Sequence, residues 1–158
     1  AIDAGVLRAD RGRWIGVGHS AGAAVVAHAA ATLRARGSAP RSLVLLDPVD
    51  TVGGLLAAAL PGLADQAMTA FELDPSRCNR HGTTMGLLVG RPGVRVTKLP
   101  GLSHADPERI PAVLAVAEVP APSRAAGLLC GTPGTAARVI ELGEATRAAA
   151  VDACSQTL

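Results

Sequence analysis

The stretch RWIGVGHSAGAAVVAHAAATLRARGSAPRSLVLL, residues 13–46, passes through two different periodicities, and its reading decides the fold. Arg13 to Val17 is a short apolar run suited to a buried strand. A sharp turn is expected from Gly18 to Gly22. Ala23 to Arg36 then offers small residues with no proline or internal glycine, which predicts a helix that Gly37 ends. That helix is apolar nearly all round, so it is expected in the interior, covered on several sides. Ser42 to Leu46 (SLVLL) is a continuous apolar run of strand length. Strand, helix and strand in that order predict a βαβ unit, whose strands are parallel neighbours joined by a right-handed crossover.

The same alternation continues with weaker signals. Ala1 to Arg11 reads as the end of a helix stopped by Gly12, and Gly53 to Leu60 as a small apolar helix closed by Pro61-Gly62. Core packing is the plainer role for the 53–60 helix, and the flank of a binding pocket the alternative. Met68 to Leu73 is a candidate third strand, Arg80 to Val89 a helix, and Gly93 to Leu99 a fourth strand that Pro100-Gly101 terminates. Pro107 to Glu118 and Gly134 to Ala153 predict two closing helices. No internal repeat or second domain is visible. The expected fold is therefore a single α/β domain, a mostly parallel sheet flanked by helices in three layers.

Composition narrows the function classes. The chain has 158 residues, 49% of them hydrophobic and 18% charged, which suits a globular core rather than a disordered segment. Trp14 and Phe71 are the aromatic residues, so surfaces that stack bases are not available and nucleic acid is not an expected partner. The net charge of +2 arises from 15 basic and 13 acidic residues scattered without a run, and names no partner. The apolar stretch Ala21 to Ala31 is interrupted by His28 and falls far short of the ~20 residues of a membrane span. Cys78, Cys130 and Cys154 are too widely spaced for a CxxC motif; one disulfide and reduced buried thiols are both open, and the compartment is undetermined.

Chemistry enters at Gly18-His19-Ser20-Ala21-Gly22, which matches G-x-S-x-G. The pattern suits a turn so tight that a side chain at either glycine would collide with backbone, and the turn thrusts the serine hydroxyl outward. The string alone is a weak signal, but here it follows a strand and opens a helix, as such an elbow requires. The helix start aims the Ala21 N–H and the positive end of the dipole at the place where a tetrahedral intermediate would carry negative charge. The bland alternative is a Gly-Ser turn that merely begins a buried helix.

A serine needs a base to take its proton. His19 is expected to be locked in the elbow and to face the scaffold, His28 lies two helical turns away, and His81 has no strand to position it. His104 stands just past the fourth strand, downstream of Ser20, and is the candidate base; a surface-loop histidine is the alternative. The orienting acid is open between Asp47 and Asp74, each followed by proline at a strand end, with Asp50 and Glu72 less well placed. Asp47 is preferred because it directly follows SLVLL, at the same carboxyl edge as Ser20. Ordinary Asp-Pro turn chemistry is the competing role for both.

With these residues in place the chain resembles the α/β-hydrolase superfamily. Within it, LDPVD at 46–50 after GHSAG resembles the chlorophyllase-like branch and the related lipase and PET-hydrolase-like enzymes, over roughly residues 14–106. That resemblance implies a serine esterase whose elbow serine is Ser20, whose acid is Asp47 and whose histidine is His104. It implies ester hydrolysis of a small-molecule or lipid-like substrate without metal or organic cofactor. The family has several strands before the elbow, including the loop that supplies a second oxyanion N–H. None is visible before Trp14, so the expectation is the C-terminal part of a longer catalytic domain, or a minimal hydrolase. A catalytically silent remnant or interaction domain that keeps the elbow for structural reasons is the rival from a different class.

Overall fold

In a computed structural model, which describes residues 14–50, 53–110 and 129–155, four parallel strands form one sheet in the order β1-β2-β3-β4. These are β1 (Ile15–His19), β2 (Ser42–Leu46), β3 (Ala67–Glu72) and β4 (Val94–Lys98). The register pairs His19 with Leu46 and Leu46 with Phe71, so the carboxyl ends of the three inner-sequence strands finish level with one another. Between them run α1 (Ala21–Ala35), the short α2 (Leu55–Ala59) with a 3-10 turn at Leu60–Leu63, and a kinked 3-10 segment at Arg80–Leu87. After β4 come a 3-10 turn at Asp106–Arg109 and the long α3 (Ala136–Ser155). No helix among the described residues is long and apolar enough to cross a membrane.

The sheet separates two cores, and the pleat of β2 and β3 feeds both. Leu43, Leu45, Met68 and Ala70 pack with Ala23, Ala24, Ala27, Ala30, Leu56 and Leu88 on one face. Val44, Leu46, Phe71 and Leu73 pack with Leu102, Val139 and Leu142 on the other. All three crossovers thus lie on the first face and α3 covers the second, which yields the expected three layers.

Most elements fall where the sequence places them, with four corrections. α1 begins at Ala21, two residues early, and is not enclosed on all sides: Ala23, Ala24, Ala27 and Ala30 are fully buried while Val25 is 55% exposed. Small side chains here serve close approach to the sheet rather than all-round burial, and a Cβ on Gly16 would stand 2.7 Å from both Val26 and Leu43 side chains. Pro61-Gly62 does not close the second helix but lies within the 3-10 turn that continues it, and Leu56, Ala59 and Leu60 are core residues. Arg80–Leu87 is a 3-10 segment broken at His81 and Gly82, not a regular helix. β1 continues through His19, so the turn narrows to Ser20 itself. The helix expected at residues 1–11 and most of that expected at 107–118 lie outside the described residues.

Candidate functional site

Ser20 occupies the single residue between β1 and α1, with φ 56° and ψ −131°. A non-glycine residue in that region is strained and must be held by its surroundings. Here its N–H donates to Leu46 O at 3.1 Å, and its carbonyl accepts from Ala23 N and Val49 N, each at 3.1 Å. Gly18 is obligatory: a Cβ would lie 2.6 Å from Ala23 Cα and 2.8 Å from Gly22 O. Gly22 is different, because a Cβ there would meet nothing within 4 Å, so the expected collision at the second glycine does not occur. The turn brings the helix back across Gly18 alone. Ala21 N–H opens α1, where the first-turn donors have no acceptor within the helix, beside the Ser20 hydroxyl.

Three of the residues singled out in the sequence meet at the carboxyl edge of the sheet. His104 Nε2 lies 2.8 Å from Ser20 Oγ, and His104 Nδ1 lies 2.6 Å from Asp47 Oδ2. A carboxylate only accepts, so Nδ1 carries the proton and donates it to Asp47, which leaves the Nε2 lone pair to accept the Ser20 hydroxyl. Asp47 is 1% and His104 6% exposed, so the hydrogen bond between them is shielded from competing water, while that to Ser20 is partly buried. Asp47 also has a left-handed φ, 43°, at the end of β2. Its own N–H donates to Phe71 O at 2.8 Å, while Leu73 N–H donates to its Oδ1 at 3.3 Å.

No family model matches the chain, and no curated protein or solved structure matches it. The geometry therefore stands on its own residues.

The alternative acid has another task. Asp74 does not reach His104; its Oδ2 accepts from Gly101 N at 3.0 Å and its N–H donates to Leu102 O at 2.9 Å, so it pins the base of the loop that carries the histidine. Asp50 accepts from Leu56 N and Ala57 N at the start of α2, and Glu72 pairs with Lys98 across β3 and β4. His28 is on the exposed side of α1 and His81 in the 3-10 kink, both away from Ser20. His19, expected to face the scaffold, instead lies against the site, with its Nε2–H donating to His104 O at 2.8 Å. Its pKa is lowered below the ordinary 6.5: burial is the main cause and the neighbouring His104 imidazole the second. These outweigh its hydrogen bond to the His104 carbonyl and the attraction of Glu108 and Asp47.

Several supporting residues were not visible in the sequence. Asn79, fully buried, donates from Nδ2 to Asp47 Oδ2 at 2.9 Å. Asp106, also fully buried, accepts on one oxygen from Ser103 N and Gly134 N, both at 2.7 Å, and on the other from Arg109 Nη1 at 2.6 Å. It thereby fastens the His104 loop to the segment before α3. Of the two open states of the cysteines, Cys78 and Cys130 form a disulfide, which joins the residue beside Asn79 to that same segment. The cue at Asp106 was present as an Asp-Pro pair opening a turn; Asn79 carried no pattern at all. A cavity of about 300 Å³ lies at the opposite, amino-terminal edge, lined by Ser42, Thr69, Arg95 and Asp152 among others. It is far from Ser20, and hydrogen-bond geometry rather than cavity size marks the candidate site.

Proposed function

We propose that this protein is a serine hydrolase of carboxylic esters. The observation that carries the reading is His104, which touches Ser20 Oγ at 2.8 Å with one ring nitrogen and the buried Asp47 carboxylate at 2.6 Å with the other. Ser20 Oγ attacks the ester carbonyl while its proton passes to His104 Nε2, and Asp47 orients the ring and balances the imidazolium that forms. The Ala21 N–H donates to the carbonyl oxygen as it becomes an oxyanion. His104 returns the proton to the leaving alcohol, an acyl-enzyme remains, and water activated by the same imidazole releases the acid. An alcohol in place of that water would make the protein an acyltransferase. The reading agrees with the α/β-hydrolase resemblance of GHSAG and LDPVD, and with the chlorophyllase-like, lipase and PET-hydrolase-like branch in particular, whose substrates are small-molecule or lipid-like esters.

The test is covalent labelling of the purified protein by a fluorophosphonate, with Ser20→Ala and His104→Ala beside it. Labelling lost in both variants is the expected result. A folded protein that does not label would reject the hydrolase reading and favour a non-catalytic domain that keeps the elbow as structure.

A further inference from the structure

Behind Asp47 stands a carboxamide whose hydrogen-bonding positions are all filled. Asn79 Nδ2 lies 2.9 Å from Asp47 Oδ2 and 2.9 Å from Asp74 O. Asn79 Oδ1 accepts from Ser76 N at 2.8 Å and from Gly82 N at 3.3 Å. These neighbours fix which way the amide points. A carboxylate and a carbonyl only accept, and backbone N–H groups only donate, so a flipped amide would turn all four contacts into clashes of like kind. The side chain therefore presents an N–H to the same Asp47 oxygen that receives His104 Nδ1. The other Asp47 oxygen has the longer 3.3 Å contact with Leu73 N.

The turn that carries Asn79 is itself tightly held. Arg80, His81 and Gly82 have φ of 51°, 56° and 73°, three successive residues in the left-handed region. Two of them have side chains, and such conformations persist only where the surroundings over-determine them. Here the restraints are the Asn79 carboxamide, a bond from Arg80 Nη1 to Asp50 O at 3.2 Å, and the disulfide at the preceding residue, Cys78. The described non-glycine residues with positive φ are Ser20, Asp47, Arg80 and His81, so strain gathers at the two ends of the hydrogen-bond chain and at the turn behind it.

We infer that Asn79 is a positioning residue for the proposed reaction: its carboxamide fixes the Asp47 carboxylate and, through it, the His104 imidazole that reaches Ser20. The inference rests on the ester-hydrolase reading for its catalytic consequence, but the Asp47–His104 pair can be observed separately. Asn79 touches no reacting atom. It acts by removing the rotational freedom of the carboxylate and by sharing the charge on Oδ2 with the imidazole N–H.

Asn79→Asp is the discriminating variant. It keeps an oxygen toward Ser76 N and Gly82 N, and so keeps two of the four contacts that hold the turn, while an oxygen replaces the amide group that donates to Asp47 Oδ2 and Asp74 O. Two readouts are taken on the folded variant: the fluorophosphonate labelling rate, and the low-field proton resonance of His104 Nδ1–H. Labelling is expected to slow by about 10- to 100-fold, the loss of one hydrogen bond to a charged group. The resonance is expected to shift or vanish, a change that a purely structural role for Asn79 would not produce. A folded Asn79→Asp protein with an unchanged rate and an unshifted resonance overturns the inference. If the unsubstituted protein is folded and does not label, the hydrolase reading fails and the resonance alone decides: a shift supports positioning by Asn79 and its absence overturns it. If Asn79→Asp does not fold, the exchange variant D47N/N79D restores a donor–acceptor pair between the two positions. Recovery of folding then supports the 47–79 contact as what was broken, and continued unfolding overturns it.

Discussion

The imidazole rings of His19 and His104 lie 4.8 Å apart, centroid to centroid, tilted by 42°, while His19 Nε2–H donates to the His104 carbonyl. Burial holds His19 neutral in the fold below its ordinary 6.5, so between the two values the unfolded chain binds more protons than the folded one. The contribution of this group is present in full above the unfolded value and is lost as pH falls through it toward the folded one. Thermal unfolding followed from about pH 8 to about pH 5 should show a shallower decline in His19→Phe than in the unsubstituted protein. Parallel declines would remove His19 as the source.

Asp47 and Asp74 make a second contrast. Asp47→Asn removes the acceptor that fixes the His104 tautomer, and a drop of roughly 10⁴-fold in ester turnover is expected. Asp74→Asn leaves the imidazole untouched and weakens one exposed contact to Gly101, so turnover within a few-fold of the unsubstituted protein is expected. Equal losses in stopped-flow assays of the two variants would reopen the assignment of the acid.

The two elbow glycines should respond oppositely to alanine. At Gly18 the new methyl meets Ala23 and Gly22 backbone that cannot yield, and a loss of roughly 1–3 kcal/mol or more in urea unfolding is expected. At Gly22, inside α1 and facing open space, alanine should be neutral or stabilising by about 0.5–1 kcal/mol. A harmless Gly18→Ala would mean that the elbow is looser than its contacts imply.

Asp106 and the disulfide secure the His104 loop from the same side. Asp106→Asn leaves the Arg109 guanidinium, 11% exposed, without its anion, for which about 3–5 kcal/mol of lost stability is expected. Removing the disulfide as C78S/C130S frees a loop spanning 52 residues, worth about 4 kcal/mol in the chain-entropy picture. Calorimetry should show both losses, and labelling of Ser20 should fall with each at temperatures where the protein is still folded. Full retention of labelling would separate the clamp from the site.

The strands, their parallel order and the Ser20–His104–Asp47 alignment were legible because each depends on local pattern. Apolar runs such as SLVLL mark buried strands, Gly18 marks the close approach, Asp47 follows β2 directly and His104 lies in the loop that leaves β4. The remainder depends on tertiary neighbours. Asp74 stayed open as the alternative to the preferred Asp47 because both precede a proline at a strand end, and the path of the loop through Gly101 and Leu102 separates them. Asn79 sits in an irregular turn whose conformation is imposed by contacts with Asp47, Ser76 and Asp74, none of which leaves a periodic trace. The burial of α1 was overestimated because alanine is counted as apolar, whereas here it acts as a spacer that lets a helix sit near a sheet.

β2 sends Leu43 and Leu45 into one core and Val44 and Leu46 into the other, and Asp47 follows as the next residue. A slip of one position would exchange the two sets and carry the carboxylate to the opposite face, out of reach of His104. The oily residues of this strand thus act as a proofreader for the hydrogen-bond chain: a misthreaded chain pairs the wrong leucines and parts Asp47 from His104, so correct folding and the alignment on Ser20 are recognised by one and the same fit.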